Sequence, residues 1–283
     1  MEFAKVGGAQ IGLMVLGLII FLFAPLIIAI VWKVKKKERF TTILIGAATF
    51  IVFALILEKS IQNVLVFPTQ MGLSLHGAAK FLNARPILWA LVLGLFPGVF
   101  EETGRLVAFK TVLRKRKNRE TGISYGIGHG GIEVMLILGL TYITNIAYAV
   151  MINAGVYGNL IAQAAALAPE QVEQGYAVAE QLAAFSAGDL AIGVVERIFA
   201  FMFHTGASIL VFYACKDKKK LWLYPLAILL HTAMDSLAGL KMAGVIEISP
   251  VMLEVIVAVF GLATFFGAYF LLYRKDSEKG KTV

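Results

Sequence analysis

Seven apolar segments, each long enough to cross a bilayer, limit this chain to a membrane-spanning helical fold. A span needs about 20 mainly apolar residues, because each helical residue rises ~1.5 Å and the hydrocarbon core is ~30 Å thick. Of the 283 residues, 59% are hydrophobic and 16% are charged, whereas a soluble domain has about 25% charged residues. We predict an all-α, polytopic membrane helix bundle. The predicted spans are residues 9–32, 40–58, 86–112, 122–153, 189–215, 221–244 and 251–273.

Basic residues are distributed unevenly between the ends of these spans. Of the 26 lysines and arginines, 19 follow spans 1, 3, 5 and 7, and five lie on the opposite side. Because cytoplasmic loops carry the excess of basic residues, we predict a cell-membrane protein with its N-terminus outside and its C-terminus in the cytoplasm. The basic cluster after the first span favours an uncleaved anchor. The same distribution leaves no basic surface for nucleic acid, although the net charge is +8.

The remaining segments are short, so we predict a single integral membrane domain over residues 1–283. Residues 59–85 mix apolar and polar side chains, which favours a partly buried loop or a re-entrant turn. Residues 155–188 are predicted to form an external loop with one short amphipathic helix. Its start signal is Pro169 followed by Glu170 and Glu173, since proline and early carboxylates are typical of a first helical turn.

Ten ionisable side chains lie well inside the predicted spans, where a charge costs about 2.5–3.5 kcal/mol on insertion scales. They are Glu101, Glu102, Arg105, His129, Glu133, Glu196, Arg197, His204, His231 and Asp235. At ~1.5 Å per residue, Glu102, His129, His204 and His231 all lie about 15–18 Å from the nearest basic cluster. Four helices thus place a carboxylate or an imidazole at one level, which favours a shared functional site over scattered packing residues.

Helical spacing and residue type indicate hydrolysis of an amide. Glu101 and Glu102 are four and three residues before Arg105, and His231 is four before Asp235, so each pair shares a helix face. A buried glutamate can act as general base on water, and histidines can hold that water or stabilise the oxyanion. Two or three histidines with a carboxylate can instead hold Zn²⁺. Either glutamate with Arg105 can also be a purely structural ion pair.

The same residues carry a resemblance to a known family. Glu101-Glu102 followed by Arg105, then Phe201-Met202-Phe203-His204, then His231 and Asp235, resembles the pattern EExxxR, FxxxH and HxxxN/D. That pattern belongs to the glutamate-type intramembrane proteases of the CAAX-endopeptidase and bacteriocin-processing (CPBP) superfamily. The whole plan, with Gly128–Glu133 and Glu196-Arg197, looks most like the bacterial YhfC branch. The resemblance covers about residues 86–240, the predicted catalytic core.

The resemblance implies an α-helical intramembrane endopeptidase that acts on a membrane-associated peptide or protein. The glutamate pair would supply the base, His204 would help to hold the water, and His231 with Asp235 would lie on the oxyanion side. Arg105 completes the predicted catalytic set, and the predicted supporting residues are His129, Glu133, Glu196 and Arg197. Only two residues separate Glu102 from Arg105, where the family has three. Which glutamate is the base therefore stays open.

The glutamate mechanism needs no metal, so we expect no tightly bound cofactor. Zinc is the alternative, with His129, His204 and His231 as its expected ligands.

The sequence departs from the family pattern at a second position. Position 200, four residues before His204, is Ala, where the pattern FxxxH has Phe.

Two other functions are compatible with buried Glu, His and Arg residues. Proton-coupled or ion-coupled transporters use such networks. This interpretation predicts helices that are broken near the midplane of the membrane. Gly126–Gly131 is the one segment of the sequence that suggests such a break. A non-catalytic membrane scaffold is the third interpretation.

Overall fold

A computed structural model describes residues 3–167 and 172–279, and the described chain is almost entirely helical. The first helices are α1 (Gly8–Lys36), α2 (Phe40–Val66), α3 (Gly77–Asn83), α4 (Pro86–Lys110) and α5 (Glu120–Asn153). They are followed by α6 (Tyr157–Leu167), α7 (Val172–Ala184), α8 (Ala187–Lys216), α9 (Leu223–Met242) and α10, which begins at Pro250 and ends at Lys279. Wider π-helical turns occupy Ile51–Glu58, Val134–Leu138 and Tyr269–Tyr273.

Seven of these helices are long and apolar enough to cross a membrane, as predicted: α1, α2, α4, α5, α8, α9 and α10. Local signals in the sequence explain several of their ends. Pro86 and Pro250 occupy first turns, where the missing N–H has no helical partner. The Ser249 side chain accepts a hydrogen bond from the Met252 N–H and so caps α10. Gly244 follows α9 with a φ of 66°, a conformation that glycine adopts without strain.

Three predictions for the connecting segments need correction or a limit. Residues 59–66 are helical, because α2 continues past Glu58, which is buried and pairs with Lys59. The rest of 59–85 holds a 3₁₀ turn (Pro68–Met71) and α3, so it is no simple loop. The segment 155–188 contains two helices, α6 and α7, in place of the one predicted. The start signal at Pro169 and Glu170 lies outside the described residues, and Glu173 is in the first turn of α7.

The glycine-rich stretch Gly126–Gly131 is continuous helix and forms no break. Its glycines serve close packing. A Cβ on Gly128 would lie 1.9 Å from the Ile43 carbonyl oxygen, and a Cβ on Gly46 would lie 2.2 Å from the Tyr125 carbonyl oxygen. Glycine thus lets α2 and α5 approach through their backbones, as small residues commonly do in membranes. The observation that would have favoured a transporter is therefore missing from this segment.

The chain divides into two compact units, and the unit boundaries fall within α1, α5 and α8. Unit 1 comprises Met1–Leu26 and Val134–Val195, and unit 2 comprises Ile27–Glu133 and Glu196–Val283. The core of unit 1 is apolar and aromatic, with Met14, Phe21 and Tyr142 buried. In unit 2, α4 packs closely against α9, where a Cβ on Gly94 would lie 2.3 Å from Ser236 Oγ.

Candidate active site

Helix α4 supplies the charged centre of unit 2. Arg105 Nη1 donates to Glu102 Oε1 at 2.6 Å, and Arg105 Nη2 lies 3.7 Å from Glu101 Oε2. The arginine and Glu102 are fully buried, and Glu101 is 6% exposed. Both carboxylates contact the arginine because residues three and four apart lie on one helix face. The sequence left open which glutamate pairs with Arg105, and the structure brings both to it.

His204 of α8 is fixed by the same arginine. Arg105 Nη2 donates to His204 Nδ1 at 2.8 Å. A guanidinium has only donors, so Nδ1 must accept and the ring proton lies on Nε2. That nitrogen lies 2.7 Å from Glu133 Oε2. Ser208, which the sequence analysis missed, accepts from Arg105 Nε and donates to the His204 carbonyl oxygen.

His231 of α9 is held by the second carboxylate. Its Nδ1–H donates to Glu102 Oε1 at 2.9 Å. Its other nitrogen, Nε2, lies 3.5 Å from Asp235 Oδ2, so the predicted pair does meet. The Asp235 side chain is 34% exposed, whereas that of Glu102 is fully buried. A carboxylate on Nδ1 fixes the ring orientation and leaves Nε2 as the nitrogen on the Asp235 side.

His129 of α5 binds a partner on another helix. Its Nε2–H donates to Glu101 Oε2 at 2.8 Å, and its Nδ1 has no hydrogen-bond partner in the described part of the chain. His129 and Glu133 are four residues apart, which places them on one helix face, yet no hydrogen bond or ion pair joins them in the described structure, because each side chain turns to a different neighbour. Glu101 Oε2 is consequently surrounded by His129, Arg105 and His204, the last at 3.7 Å.

Three of the four predicted supporting residues, Glu133, Glu196 and Arg197, form a second ion-pair group at one side of this centre. Arg197 Nη1 lies 3.2 Å from Glu133 Oε1, and the same guanidinium pairs with Glu196. Glu133 therefore connects the two groups, because its other oxygen lies beside His204. All ten ionisable residues singled out in the sequence belong to unit 2.

A cavity of about 220 Å³ opens on these groups. Glu101, His204, His231 and Asp235 line it, and Glu102 is absent from the described lining residues. The sequence analysis also missed Glu254, a carboxylate near the start of the last apolar span that lines the cavity. Glu58 was missed as well: it is 2% exposed and close enough to His231 and Asp235 to interact with them electrostatically. Glu254 lies inside an apolar run and Glu58 ends one, so a charge in an apolar segment was the sequence signal for both.

Two groups of three side chains have the types and spacing of metal ligands. They are Glu101, His204 and His231, and His129, Glu133 and His204, with ligand atoms within 4.8 Å of one another in each group. Neither group contains all three histidines of the ligand set expected from the sequence, and that set stays a prediction. His204 belongs to both groups, yet its Nδ1 accepts from Arg105 and its Nε2 carries the proton. A metal ion could therefore bind His204 only if the hydrogen bond between Arg105 and His204 were broken.

Comparison with known proteins gives the family. The family described as "YhfC intramembrane metalloprotease" matches residues 19–257. "Uncharacterized membrane protein YhfC" of Bacillus subtilis (strain 168) is 34% identical over 233 residues, which cover 81% of this chain and 84% of the relative. No solved structure matches the chain.

Proposed function

The chain belongs to the YhfC family of intramembrane metalloproteases, and from this premise we propose that it is an intramembrane endopeptidase with Glu101 as the group that activates water. The observation that carries the proposal is the position of Glu101. It lines the cavity, and its Oε2 accepts from His129. The finer assignment, to the glutamate-type mechanism and the CPBP superfamily, rests on the sequence pattern and on this geometry.

The two glutamates have different tasks in this proposal. Glu102 is fully buried, binds both Arg105 and His231 through one oxygen, and is no lining residue in the described structure. It is therefore the positioning residue, and Glu101 is the base. A general base must lie within hydrogen-bond reach of the water that it deprotonates. Water in the cavity can reach Glu101 and cannot reach Glu102 without moving His231 or Arg105.

The histidines and Asp235 complete the reaction. Glu101 takes a proton from water, and the resulting hydroxide attacks the peptide carbonyl. His231, charged when both Glu102 and Asp235 accept from it, donates Nε2–H to the developing oxyanion. The proton held by Glu101 then passes to the leaving amine. His204 and Arg105 keep Glu101 in place, and Glu133, Glu196 and Arg197 fix His204 from the other side.

The family description names a metal, and the donor set fits zinc in residue type and spacing. Glu101, His204 and His231 would hold it, and bound zinc would lower the pKa of its water and polarise the peptide carbonyl. The Arg105–His204 hydrogen bond favours the metal-free arrangement, so the expectation of no tightly bound metal stays part of the proposal. None of the steps above requires an ion.

The substrate in this proposal is a membrane-associated peptide or protein, and no nucleic acid takes part. The protein lies in the cell membrane with its N-terminus outside and its C-terminus in the cytoplasm, and the catalytic core is residues 86–240. The basic residues after spans 1, 3, 5 and 7 support this orientation.

Hydrolysis of membrane-anchored peptides in water enriched with ¹⁸O tests the activity. Full-length protein in proteoliposomes is given a library of peptides that each contain one apolar segment, and products are identified by mass spectrometry. We expect ¹⁸O in one new carboxylate per cleavage. His231→Ala should abolish the product, and Glu173→Gln, an exposed carboxylate of α7 in unit 1, should not change it. A folded wild-type protein that cleaves none of the peptides, or a His231→Ala protein that cleaves as fast, would contradict the proposal.

Elemental analysis of the purified protein tests the metal separately. We expect less than about 0.1 zinc per chain, the same in wild type and in the double variant His204→Ala/His231→Ala. Stoichiometric zinc that is lost in the double variant would contradict the metal-free arrangement. Glu101 would then be a ligand, and the metal would supply the nucleophile.

A further inference from the structure

A second cavity in unit 2 has no part in the proposed reaction. Its volume is about 420 Å³, within the range of about 300–1,000 Å³ that ligand sites commonly have. Lys36 at the end of α1, Arg119 just before α5 and Arg274 in α10 all line it. These three residues belong to three different basic clusters of the sequence, so the fold collects cations that are 83 to 238 residues apart in the chain.

Aromatic rings form most of the rest of the wall, together with Ile123. The Trp32 indole N–H donates to Ser124 Oγ at 2.8 Å, and Lys36 Nζ lies 5.7 Å from the Trp32 ring centre. The Arg119 guanidinium lies 4.5 Å from the Tyr273 ring centre. Cations and amphipathic rings side by side at helix ends are typical of the interface between hydrocarbon and headgroups.

Glu120 and Glu38 lie near this cavity, and neither pairs with Lys36 in the described part of the chain. Glu120 accepts from Arg119 Nε at 2.9 Å and from the Tyr273 hydroxyl. Glu38 accepts from Asn118 and, at 3.4 Å, from Ser124. Arg119 is thus paired with Glu120, whereas Lys36 has no carboxylate partner among the described residues. A guanidinium and an ammonium are the groups that bind phosphate oxygens most strongly.

One wall of this cavity opens to the outside of the helix bundle. Phe270 lines it and is 46% exposed, and the adjacent Leu271 is 62% exposed. Exposed apolar side chains on a membrane-spanning helix are suited to acyl chains. A soluble phosphate compound would leave that wall unused, whereas a phospholipid uses both the cations and the apolar opening.

We propose that the cavity between Lys36, Arg119 and Arg274 binds the headgroup of an anionic phospholipid. The phosphate lies among the cations, and an acyl chain lies along Phe265 and Phe270. Basic pockets between membrane helices on the cytoplasmic side bind anionic headgroups in this manner. The site is independent of peptide hydrolysis, so it stands or falls apart from the proposed function.

Native mass spectrometry of the full chain, with phosphatidylglycerol and phosphatidylcholine as probes, tests the site. We expect one phosphatidylglycerol to remain bound and its affinity to exceed that of phosphatidylcholine by about tenfold or more. Lys36→Gln/Arg274→Gln should lower that affinity by about tenfold or more. The matched control, Lys35→Gln/Lys115→Gln, removes two exposed lysines of the same region that do not line the cavity, and it should keep the bound lipid. Equal losses in both variants, or equal binding of both lipids, would overturn the proposal.

Two further measurements keep the test decisive. Excess glycerol phosphate should leave the lipid bound; complete displacement would mean that the cavity takes a free phosphate compound and would overturn the lipid assignment. If the double variant fails to fold, the fluorescence of Trp32 is measured with the cavity residues unchanged. Trp89→Phe/Trp222→Phe removes the other two tryptophans, so that Trp32 alone gives the signal. Brominated phosphatidylglycerol should quench Trp32 fluorescence more than brominated phosphatidylcholine does, and equal quenching would count against the site.

Discussion

The two units of this protein bury different kinds of side chain. In unit 2 the buried set includes Glu101, Glu102, Arg105, His129, Glu133, His204 and His231. In unit 1 the buried side chains of the described residues are apolar or tyrosine, such as Met14, Phe21 and Tyr142. All the buried polar and charged side chains of the described chain belong to unit 2. Unit 1 thus has an apolar core alone, whereas unit 2 has a buried charged centre beside an apolar core of its own.

The difference between the units distinguishes side chains that stabilise the fold from side chains that serve a reaction. A buried charge has a desolvation cost of several kcal/mol, which hydrogen bonds and ion pairs must offset. An apolar core has no such desolvation cost, and unit 1 is an example of one in this protein. The buried charges of unit 2 therefore point to function, and substitutions should behave differently in the two units.

The largest effect on folding is expected at Arg105. Arg105→Gln leaves Glu101 and Glu102 without their cation, and breaking a buried pair costs about 3–5 kcal/mol. We expect that loss in the free energy of unfolding, measured in detergent–SDS mixtures, together with loss of cleavage. Arg114→Gln, an exposed arginine after α4, is the control and should change stability by less than about 0.5 kcal/mol. Equal stability of both variants would show that the ion pairs are dispensable.

A substitution in the apolar core should separate stability from activity. Met14 is fully buried in unit 1, and Met14→Ala removes its packing contacts at a cost of about 2–5 kcal/mol. The cleavage rate per folded molecule should stay within about twofold of wild type. A large fall in that rate, measured after correction for the folded fraction, would contradict the assignment of activity to unit 2 alone.

Backbone contact between α2 and α5 predicts a third effect. Gly128→Ala places a methyl group against the Ile43 carbonyl oxygen, so the helices must move apart, at about 1–3 kcal/mol for an overpacked site. His129 follows directly, so activity should fall together with stability. Gly12→Ala is the matched control, because no atom beyond its own stretch of helix backbone lies within 4 Å of its new Cβ. Full activity of Gly128→Ala would mean that the position of His129 is not critical.

The smallest effect is expected at a helix cap outside the charged centre. Ser249→Ala removes the hydrogen bond from the Met252 N–H and costs about 0.5–2 kcal/mol. This residue belongs to unit 2, yet the rate per folded molecule should not change. A thermal unfolding scan and a cleavage assay on the same sample check both statements. A rate loss larger than the stability loss would mean that the cap at Ser249 helps to position the cavity residues of α10, such as Glu254.

The sequence predicts the spans well, because about 20 apolar residues in a row have few alternatives in a membrane. It misplaces the end of one span, where a charged pair lies inside the helix. The predicted span 2 stops at residue 58, before Lys59, whereas the helix continues to Val66, and Glu58 is buried and paired with Lys59. Hydropathy alone does not report that a charge has found a partner.

The site residues follow a similar rule. Depth along the helices predicts that Glu102, His129, His204 and His231 lie close together, and they do: His231 binds Glu102, and the rings of His129 and His231 lie 5.1 and 5.3 Å from that of His204. Which partner each one binds depends on helix rotation, which a single sequence does not determine. The hydrogen bond from His129 to Glu101 and the contact of Glu133 with His204 are examples, because same-helix spacing favours the pair that does not form. Hydrogen-bonding details, such as the proton on His204 Nε2, require the positions of the neighbours.

The most direct test compares Glu101→Gln with Glu102→Gln in the ¹⁸O cleavage assay, with rates expressed per folded molecule. Both variants remove one carboxylate and keep its shape, and the two positions are adjacent in the chain. Loss of a general base should slow Glu101→Gln by about 10²–10⁴-fold. Glu102→Gln should act mainly on folding and slow the reaction by about tenfold through His231. Nearly normal cleavage by Glu101→Gln, with the larger loss in Glu102→Gln, would contradict the assignment of the base.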